Sequence, residues 1–345
     1  MQIKKDKTYQ RLEHGMNTGV LLRPIQANNY IAGVYSAVVY KERLKDRQWK
    51  VYRPTDEKQI GIYFDTMSCV SFAGDNTIEE QIAYLIDEGI LNENNGLKEL
   101  QEMGFWDENG NFNCSDRFLA IMSGTTKYGN YLEVIWETIR KVGLLPEKDL
   151  PNNLDDRTPW TWEDWMNKDV ITQEMKDKAK RVLDILQFAY EWVAITPESL
   201  KYHLKQAPIQ IAAPVCSPWN TTEIIQACPA GAGHSTIIDG YVDKEYWHDF
   251  DHYFPYGKKL AWNYPIKAGL KGIVEVKETN LIDKSLMSNS KIIKDADSSA
   301  VGIWDPAINE SALRSQCANR GIKVPELADG NIDWDKLING DWKKR

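Results

Sequence analysis

The pattern of apolar and polar positions changes character about halfway along the chain. In the first half, apolar residues recur at the spacing of an amphipathic helix. This spacing predicts helices over 71–88, 115–122, 130–142 and about 171–193. In the second half, short apolar runs between turn residues predict strands over 208–215, 234–242 and 272–276. Helices followed by strands predict an α+β architecture rather than alternating βαβ units.

The same pattern divides the chain into three regions. We expect an N-terminal extension over 1–50, a main domain over 51–280 and a small C-terminal module over 281–345. The extension mixes short apolar runs with charged turns, which is typical of extended segments packed against a domain. An insertion is expected over 151–193, beginning with an exposed stretch rich in Trp, Pro and Asp. The C-terminal module carries one amphipathic helix, near 310–320.

Composition narrows the class of protein. The chain has 345 residues, of which 42% are hydrophobic and 27% charged, as in soluble globular proteins. Its formal net charge of −8 and the lack of a basic tract argue against a nucleic-acid partner. The polar start lacks the apolar core of a signal peptide, and no run is long enough to span a membrane. We therefore expect a cytoplasmic protein of unknown oligomeric state.

The number and spacing of the cysteines also agree with a cytoplasmic protein. The five cysteines are odd in number and widely scattered, which indicates a disulfide-free protein in a reducing compartment. No zinc-binding or phosphate-binding motif is present, so no metal or cofactor is expected.

Cys69 carries the clearest chemical signal. It closes a short loop and opens the helix predicted over 71–88. A thiol at a helix N-terminus is stabilised as thiolate, which is the nucleophilic form. A buried structural cysteine is the alternative, because free cysteines are among the most buried residues.

A thiol nucleophile needs a base, and His234 fits that role best. It follows Gly-Ala-Gly and opens an apolar strand, so a flexible turn delivers it to the edge of a sheet. His14 and His203 lie in polar surroundings and are expected to be exposed. His252 is a second-choice base, but its aromatic neighbours favour a pocket wall.

A third group usually orients the imidazole through its other nitrogen. Asp251 follows His234 by the length that a hairpin needs to return its second strand beside the first. Asp249 is the nearby competitor, and either residue is also compatible with a turn aspartate.

The order of cysteine, helix, strand-borne histidine and aspartate resembles papain-like cysteine peptidases. Several motifs between about residues 55 and 276 are similar to that family in the same order. They are Ser68-Cys69-x-Ser71-Phe72-Ala73, Ser115-Asp116-Arg117-Phe118-Leu119, Gly129-Asn130, Gly143-Leu144-Leu145-Pro146-Glu147, Ala207-Pro208-Ile209-Gln210-Ile211, Gly233-His234-x-x-x-Ile238-x-Gly240-Tyr241 and Asp251-His252-Tyr253.

The resemblance implies a two-lobed fold with a helical N-terminal lobe and an antiparallel β-sheet C-terminal lobe. It implies a peptidase acting on a protein or peptide substrate through Cys69, His234 and Asp251. Gly129 and Asn130 are expected to line the substrate cleft, with Tyr253 as an aromatic lid over Asp251. The activity would proceed through a thioester acyl-enzyme.

The main departure from the family lies just before Cys69. A glutamine that donates to the oxyanion is expected there, but Tyr63 and Asp65 occupy the stretch and Gln59 is ten residues away. Loss of one such donor typically costs ~10²–10³ in rate. The Cys69 amide, Thr66 and Tyr63 are other possible donors. Two alternatives stay open: an inactive papain fold serving in binding or virion structure, and a transglutaminase-like acyl transferase or deamidase.

Overall fold

The computed structural model describes residues 19–23, 30–31, 42–61, 63–154, 161–215, 217–220, 222–228 and 232–277. His14 and the C-terminal module over 281–345, with its predicted helix, lie outside these residues. Among the described residues, no helix combines the length and apolar character that crossing a membrane requires.

Helices dominate the first part of the described chain. They are α1 (Cys69–Asp87), α2 (Leu97–Met103), α3 (Asp116–Ser123), α4 (Leu132–Val142), α5 (Trp162–Trp165), α6 (Gln173–Ile185) and α7 (Pro197–His203). Helix α1 is the central one, because most of its residues are buried on every side. Helix α3 begins where predicted, since the Ser115 hydroxyl accepts a hydrogen bond from the Phe118 N–H at 3.1 Å.

Strands follow and form one antiparallel sheet. They are β1 (Leu186–Val193), β2 (Ile209–Val215), β3 (Ala232–Val242), β4 (Tyr246–Phe250), β5 (Gly257–Ala261) and β6 (Ala268–Val276). The spatial order is β1-β6-β2-β3-β4-β5. Helix α1 packs against β3 and β6. The predicted α+β class is confirmed, and the three predicted strands correspond to β2, β3 and β6.

The helix predicted over about 171–193 ends earlier than expected. Helix α6 ends at Ile185, and residues Leu186–Val193 form β1, which pairs with β6 along its whole length. The apolar residues after Ile185 are compatible with both periods, and pairing with the edge of β6 favours the strand. This is a tertiary override of a local pattern.

Two further expectations are wrong. The Trp-rich stretch expected to be exposed contains Trp165, which is fully buried and whose carbonyl accepts a hydrogen bond from the Arg117 Nε–H at 2.8 Å. His203 is also buried rather than exposed, with Lys271 Nζ 3.1 Å from its Nδ1. Burial and the Lys271 charge lower the pKa of His203 well below its usual value.

The cysteines correct one more expectation. Cys69 and Cys114 are free and buried. Cys228, however, is disulfide-bonded, so the chain is not disulfide-free.

Candidate active site

Cys69 is the first residue of α1, as predicted, and is fully buried. The backbone N–H groups of Ser235 and Val70 face its sulfur. Burial raises the pKa of the thiol well above its usual value, and the carboxylates of Asp65 and Asp251 raise it further. The two backbone donors act in the opposite direction but do not outweigh burial. In this closed arrangement the isolated thiol is therefore protonated.

The structure brings His234 and Asp251 together. His234 lies near the start of β3, and its Nε2 is 2.8 Å from Asp251 Oδ1, with both side chains fully buried. Residue Asp251 follows β4, which pairs with β3 and returns the chain beside His234. With Nε2 committed to Asp251, Nδ1 is the ring nitrogen left for another group, and it has no hydrogen-bond partner among the described residues.

Asp251 accepts hydrogen bonds on both oxygens. Besides His234, Oδ1 accepts the backbone N–H of His252 at 2.6 Å and that of Tyr253 at 3.2 Å. The other oxygen, Oδ2, accepts the indole N–H of Trp219 at 2.7 Å and lies 2.8 Å from Lys258 Nζ. Burial raises the pKa of Asp251, but Lys258, His234 and His252 outweigh it, so the net pKa lies well below the usual value. Asp251 is therefore ionised.

Gln210, on β2, connects the cysteine helix to the histidine strand. Its Nε2 donates to the Val70 carbonyl at 2.9 Å and to the Ser235 hydroxyl at 3.2 Å. Its Oε1 accepts the indole N–H of Trp136 at 2.9 Å, and the amide is fully buried. Since Val70 and Ser235 are the neighbours of Cys69 and His234, Gln210 fixes the relative position of the two elements that carry the reactive groups.

The loop before Cys69 contains a buried polar network that sequence reasoning missed. Ile60 and Asp65 pair across a short hairpin, and the Thr66 N–H donates to the Gln59 carbonyl at 3.2 Å. Gln59 and Cys69 are ten residues apart in sequence, but this hairpin brings Gln59 back beside the loop that leads into Cys69. The intervening Gly61, whose N–H bonds to the Phe64 carbonyl at 3.0 Å, is the sequence signal for that turn.

Gln59 is fully buried, and its amide meets Tyr253 and Asp65. The amide Nε2 lies 2.9 Å from Asp65 Oδ1 and 2.6 Å from the Tyr253 hydroxyl oxygen. The Tyr253 hydroxyl donates to Asp65 Oδ2 at 2.6 Å, and the Met67 N–H donates to Asp65 Oδ1 at 2.8 Å. The Tyr253 ring packs against the His234 ring with centroids 4.9 Å apart. Tyr253 thus covers the His234–Asp251 pair and links it to Gln59.

Gly129 and Asn130 form an edge that pairs with the chain's own N-terminal segment. The Asn130 N–H donates to the Gly19 carbonyl at 2.9 Å, and the Leu21 N–H donates to the Asn130 carbonyl at 2.7 Å. A Cβ on Gly129 would stand 1.8 Å from the Gly19 carbonyl oxygen, so only glycine permits this approach. The edge expected to line a substrate cleft is therefore already occupied.

The same segment covers Cys69. A Cβ on Gly19, which has a φ of +116°, would stand 3.1 Å from the Cys69 sulfur and 2.6 Å from the Met67 carbonyl oxygen. Val20 is only 3% exposed and belongs to the main core, whereas Leu22 is 43% exposed. The backbone at Gly19 lies directly over the thiol.

His252 is buried beside the His234–Asp251 pair. Its ring packs on Phe72 and His234, with centroid separations of 5.3 Å and 5.0 Å. Burial lowers its pKa to about 3, so the ring is neutral at ordinary pH. His234, Asp251 and His252 each offer one atom within a 4.8 Å cluster that could hold a metal ion. The Lys258 ammonium at Asp251 already supplies positive charge there and opposes a second cation.

Comparisons with known proteins point to one kind of structure. No protein-family model matches the sequence, and no curated protein matches it. Among solved structures, xylellain, a cysteine protease from Xylella fastidiosa, is similar with 13% identity and a TM-score of 0.48, covering 75% of this chain and 99% of that one.

Two proforms give similar values. The Amb a 11 cysteine protease of ragweed pollen in its proform matches with 14% identity and a TM-score of 0.45, covering 72% of this chain and 70% of that one. Digestive procathepsin L 3 of Tenebrio molitor larval midgut matches with 14% identity and a TM-score of 0.45, covering 78% and 79%. The chain thus resembles papain-like cysteine proteases, as its motifs predicted.

Proposed function

We propose that this chain is a cysteine peptidase in which Cys69 is the nucleophile, His234 the base and Asp251 the group that orients the base. The observation that carries the proposal is the buried His234–Asp251 pair, joined at 2.8 Å through Nε2. This contact leaves Nδ1 for the thiol proton, and the backbone N–H of Ser235, the residue after His234, faces the Cys69 sulfur.

The reaction follows from this arrangement. His234 Nδ1 takes the thiol proton as the Cys69 sulfur attacks a peptide carbonyl carbon. The protonated ring then gives the proton to the leaving amine, and a thioester with Cys69 remains. Water, deprotonated by His234, hydrolyses the thioester and releases the acid. Asp251 holds the ring through Nε2 and stabilises its charged form during both steps.

Gln59 is the group we assign as the side-chain donor to the oxyanion, together with the Cys69 backbone N–H. The hairpin over 60–65 returns the Gln59 amide to the loop that leads into Cys69. Its two N–H bonds are directed at Asp65 and Tyr253. One of these two N–H groups has to turn toward the substrate oxygen when substrate binds. Until then, Tyr253 and Asp65 hold the Gln59 amide in position.

The substrate of this site is an extended peptide. The backbone of Asn130 already pairs with an extended segment through one donor and one acceptor. A peptide that displaces residues 19–21 gains the same two hydrogen bonds. Val20 marks a buried, apolar position for one substrate side chain, beside Gly129 and Asn130.

A peptide-hydrolysis assay tests the proposal. Purified full-length protein is incubated with an unfolded protein substrate, and new amino termini are quantified. Cys69→Ala and His234→Ala are expected to lower the rate by at least about 10³-fold, as removal of a member of such a group does. Cys114→Ala is the matched control, because Cys114 is also free and buried, and its backbone N–H donates to Glu79.

The reaction products distinguish peptide hydrolysis from acyl transfer or deamidation. New amino termini that depend on Cys69 support hydrolysis. Ammonia release or isopeptide bonds without new termini would instead show acyl transfer or deamidation. Wild-type hydrolysis in either Cys69→Ala or His234→Ala refutes the assignment of that residue. A protein that neither hydrolyses peptides nor alkylates at Cys69 faster than at Cys114, in wild type and also when Val20→Asp displaces the covering segment, favours an inactive binding protein.

A further inference from the structure

The partner of Asp251 is a buried cation. Lys258, on β5, has a side chain that is 2% exposed, and its Nζ lies 2.8 Å from Asp251 Oδ2. The same Nζ donates to the carbonyls of Tyr253 at 2.5 Å and Pro255 at 2.6 Å. These three acceptors fix the ammonium on the side of Asp251 that faces away from His234.

The charge of Asp251 acts on both reactive groups. A buried carboxylate next to an imidazole favours the protonated ring, and the charge of Asp251 also disfavours the Cys69 thiolate. At distances of a few ångströms in a buried site, one uncompensated charge shifts such equilibria by about one pH unit or more. A neutral acceptor would orient the ring without this effect.

We propose that Lys258 is a positioning residue whose charge balances that of Asp251, so that the two act on His234 as one neutral hydrogen-bond acceptor. The two carboxylate oxygens of Asp251 contact different partners. Oδ1 receives His234, and Oδ2 receives Lys258 and the indole N–H of Trp219. The inference rests on the proposed function and concerns how its base is tuned.

The other titratable groups described around the His234–Asp251 pair do not supply the positive charge that balances Asp251. His252 is neutral at ordinary pH, because burial lowers its pKa to about 3. Asp249, at the end of β4, is buried, and burial followed by the charge of Asp251 raises its pKa well above the usual value. Asp65 and Tyr253 hydrogen-bond each other and supply no positive charge. Among these groups, Lys258 alone places a positive charge on Asp251 Oδ2.

A double-mutant cycle tests the proposal with two readouts. The proteins are wild type, Lys258→Met, Asp251→Asn and the double variant, all as the full chain. One readout is the pH profile of kcat/KM for peptide hydrolysis. The other is the pH dependence of Cys69 alkylation by iodoacetamide, followed by mass spectrometry, which needs no peptidase activity.

Opposite shifts are expected for the single variants. Lys258→Met leaves the Asp251 charge unbalanced, so both limbs of the pH profile move to higher pH by about one unit. Asp251→Asn leaves the ammonium unbalanced, so both limbs move to lower pH. The double variant restores a neutral acceptor, so its limbs return close to those of wild type and its kcat/KM exceeds that of either single variant.

Lys259→Met is the matched control, since Lys259 neighbours Lys258 on β5 but pairs with Glu223 at the surface, 3.0 Å away. Its pH profile should equal that of wild type. A folded Lys258→Met protein with wild-type limbs overturns the proposal, as does a double variant that behaves like Asp251→Asn. If Lys258→Met does not fold, the double variant decides by the same criterion, and its failure to fold beside a folded Asp251→Asn also counts against the proposal.

The two readouts separate this proposal from the function on which it rests. Absence of hydrolysis in wild type, with the alkylation shifts present, removes the peptidase assignment and keeps the role of Lys258. Hydrolysis that depends on Cys69, with no shift in either readout, keeps the peptidase and removes the role of Lys258.

Discussion

Displacement of the N-terminal segment should release the Cys69 thiol. In the structure, the segment is held by Val20, which is 3% exposed, and by two backbone hydrogen bonds to Asn130. Burial of a valine side chain contributes about 1.5–3 kcal/mol, and each hydrogen bond contributes about 0.5–1.5 kcal/mol. The substitution Val20→Asp removes the first contribution and adds the cost of burying a carboxylate.

The expected magnitude follows from the valine alone. A loss of about 1.5–3 kcal/mol shifts the balance between covered and uncovered cleft by roughly 10–100-fold toward the uncovered form. Alkylation of Cys69 by iodoacetamide, resolved from the other cysteines by peptide mass spectrometry, should accelerate by about tenfold or more. Peptide hydrolysis by the full chain should rise in parallel.

Leu22→Asp provides the control for this experiment. Leu22 lies in the same segment but is 43% exposed, so the same charge is added with little loss of burial. Its alkylation rate should stay near that of wild type. Equal rates for Val20→Asp and Leu22→Asp, in proteins with unchanged thermal stability, would show that the segment does not control access to Cys69.

Three further predictions concern the loop before Cys69 and helix α1. Gln59→Ala should lower kcat by about 10²–10³-fold with a smaller effect on KM, because the donor acts on the oxyanion; a wild-type kcat would remove Gln59 from that role. Asp65→Asn should lower the pKa of Cys69, because the Asp65 charge raises it, and the alkylation profile should move to lower pH; a shift to higher pH contradicts this reasoning. Burial, and then Glu57, raise the pKa of the Asp75 carboxyl well above its usual value. The stability that the protonated Asp75 carboxyl contributes is thus present at low pH and lost as pH rises. Asp75→Asn should therefore raise Tm at pH 8 more than at pH 4. Equal rises at the two pH values would refute the raised pKa of Asp75.

Local signals in the sequence were sufficient for the elements that carry Cys69 and His234. The helix after Cys69 and the strand after His234 each agree with their own hydrophobic pattern, and the hairpin length places Asp251 beside His234. The hairpin turn is short, because β3 ends at Val242 and β4 begins at Tyr246. These features depend on contacts between residues close in sequence, which a pattern can express.

Features that depend on distant partners were not predictable. Strand β1 exists because β6 offers it a partner some eighty residues later in the chain. Gln59 is ten residues from Cys69 in sequence, and only the hairpin over 60–65 returns it to the loop before Cys69. Lys258 reads as an ordinary strand lysine until the structure shows Asp251 Oδ2 at 2.8 Å from its Nζ. Neither the Lys258–Asp251 ion pair nor the hairpin over 60–65 produces a periodic pattern in the sequence.

Access to Cys69 and its ionisation are coupled in this structure. Burial is the largest cause of the raised Cys69 pKa, and the backbone at Gly19 is part of what buries the sulfur. Displacing the segment therefore admits solvent to the thiol, which removes part of the desolvation cost and lowers the pKa. The Val20→Asp protein should consequently show two changes together, a faster alkylation rate and a midpoint at lower pH. A faster rate with an unchanged midpoint would mean that the segment blocks entry without contributing to the burial that holds the thiol protonated.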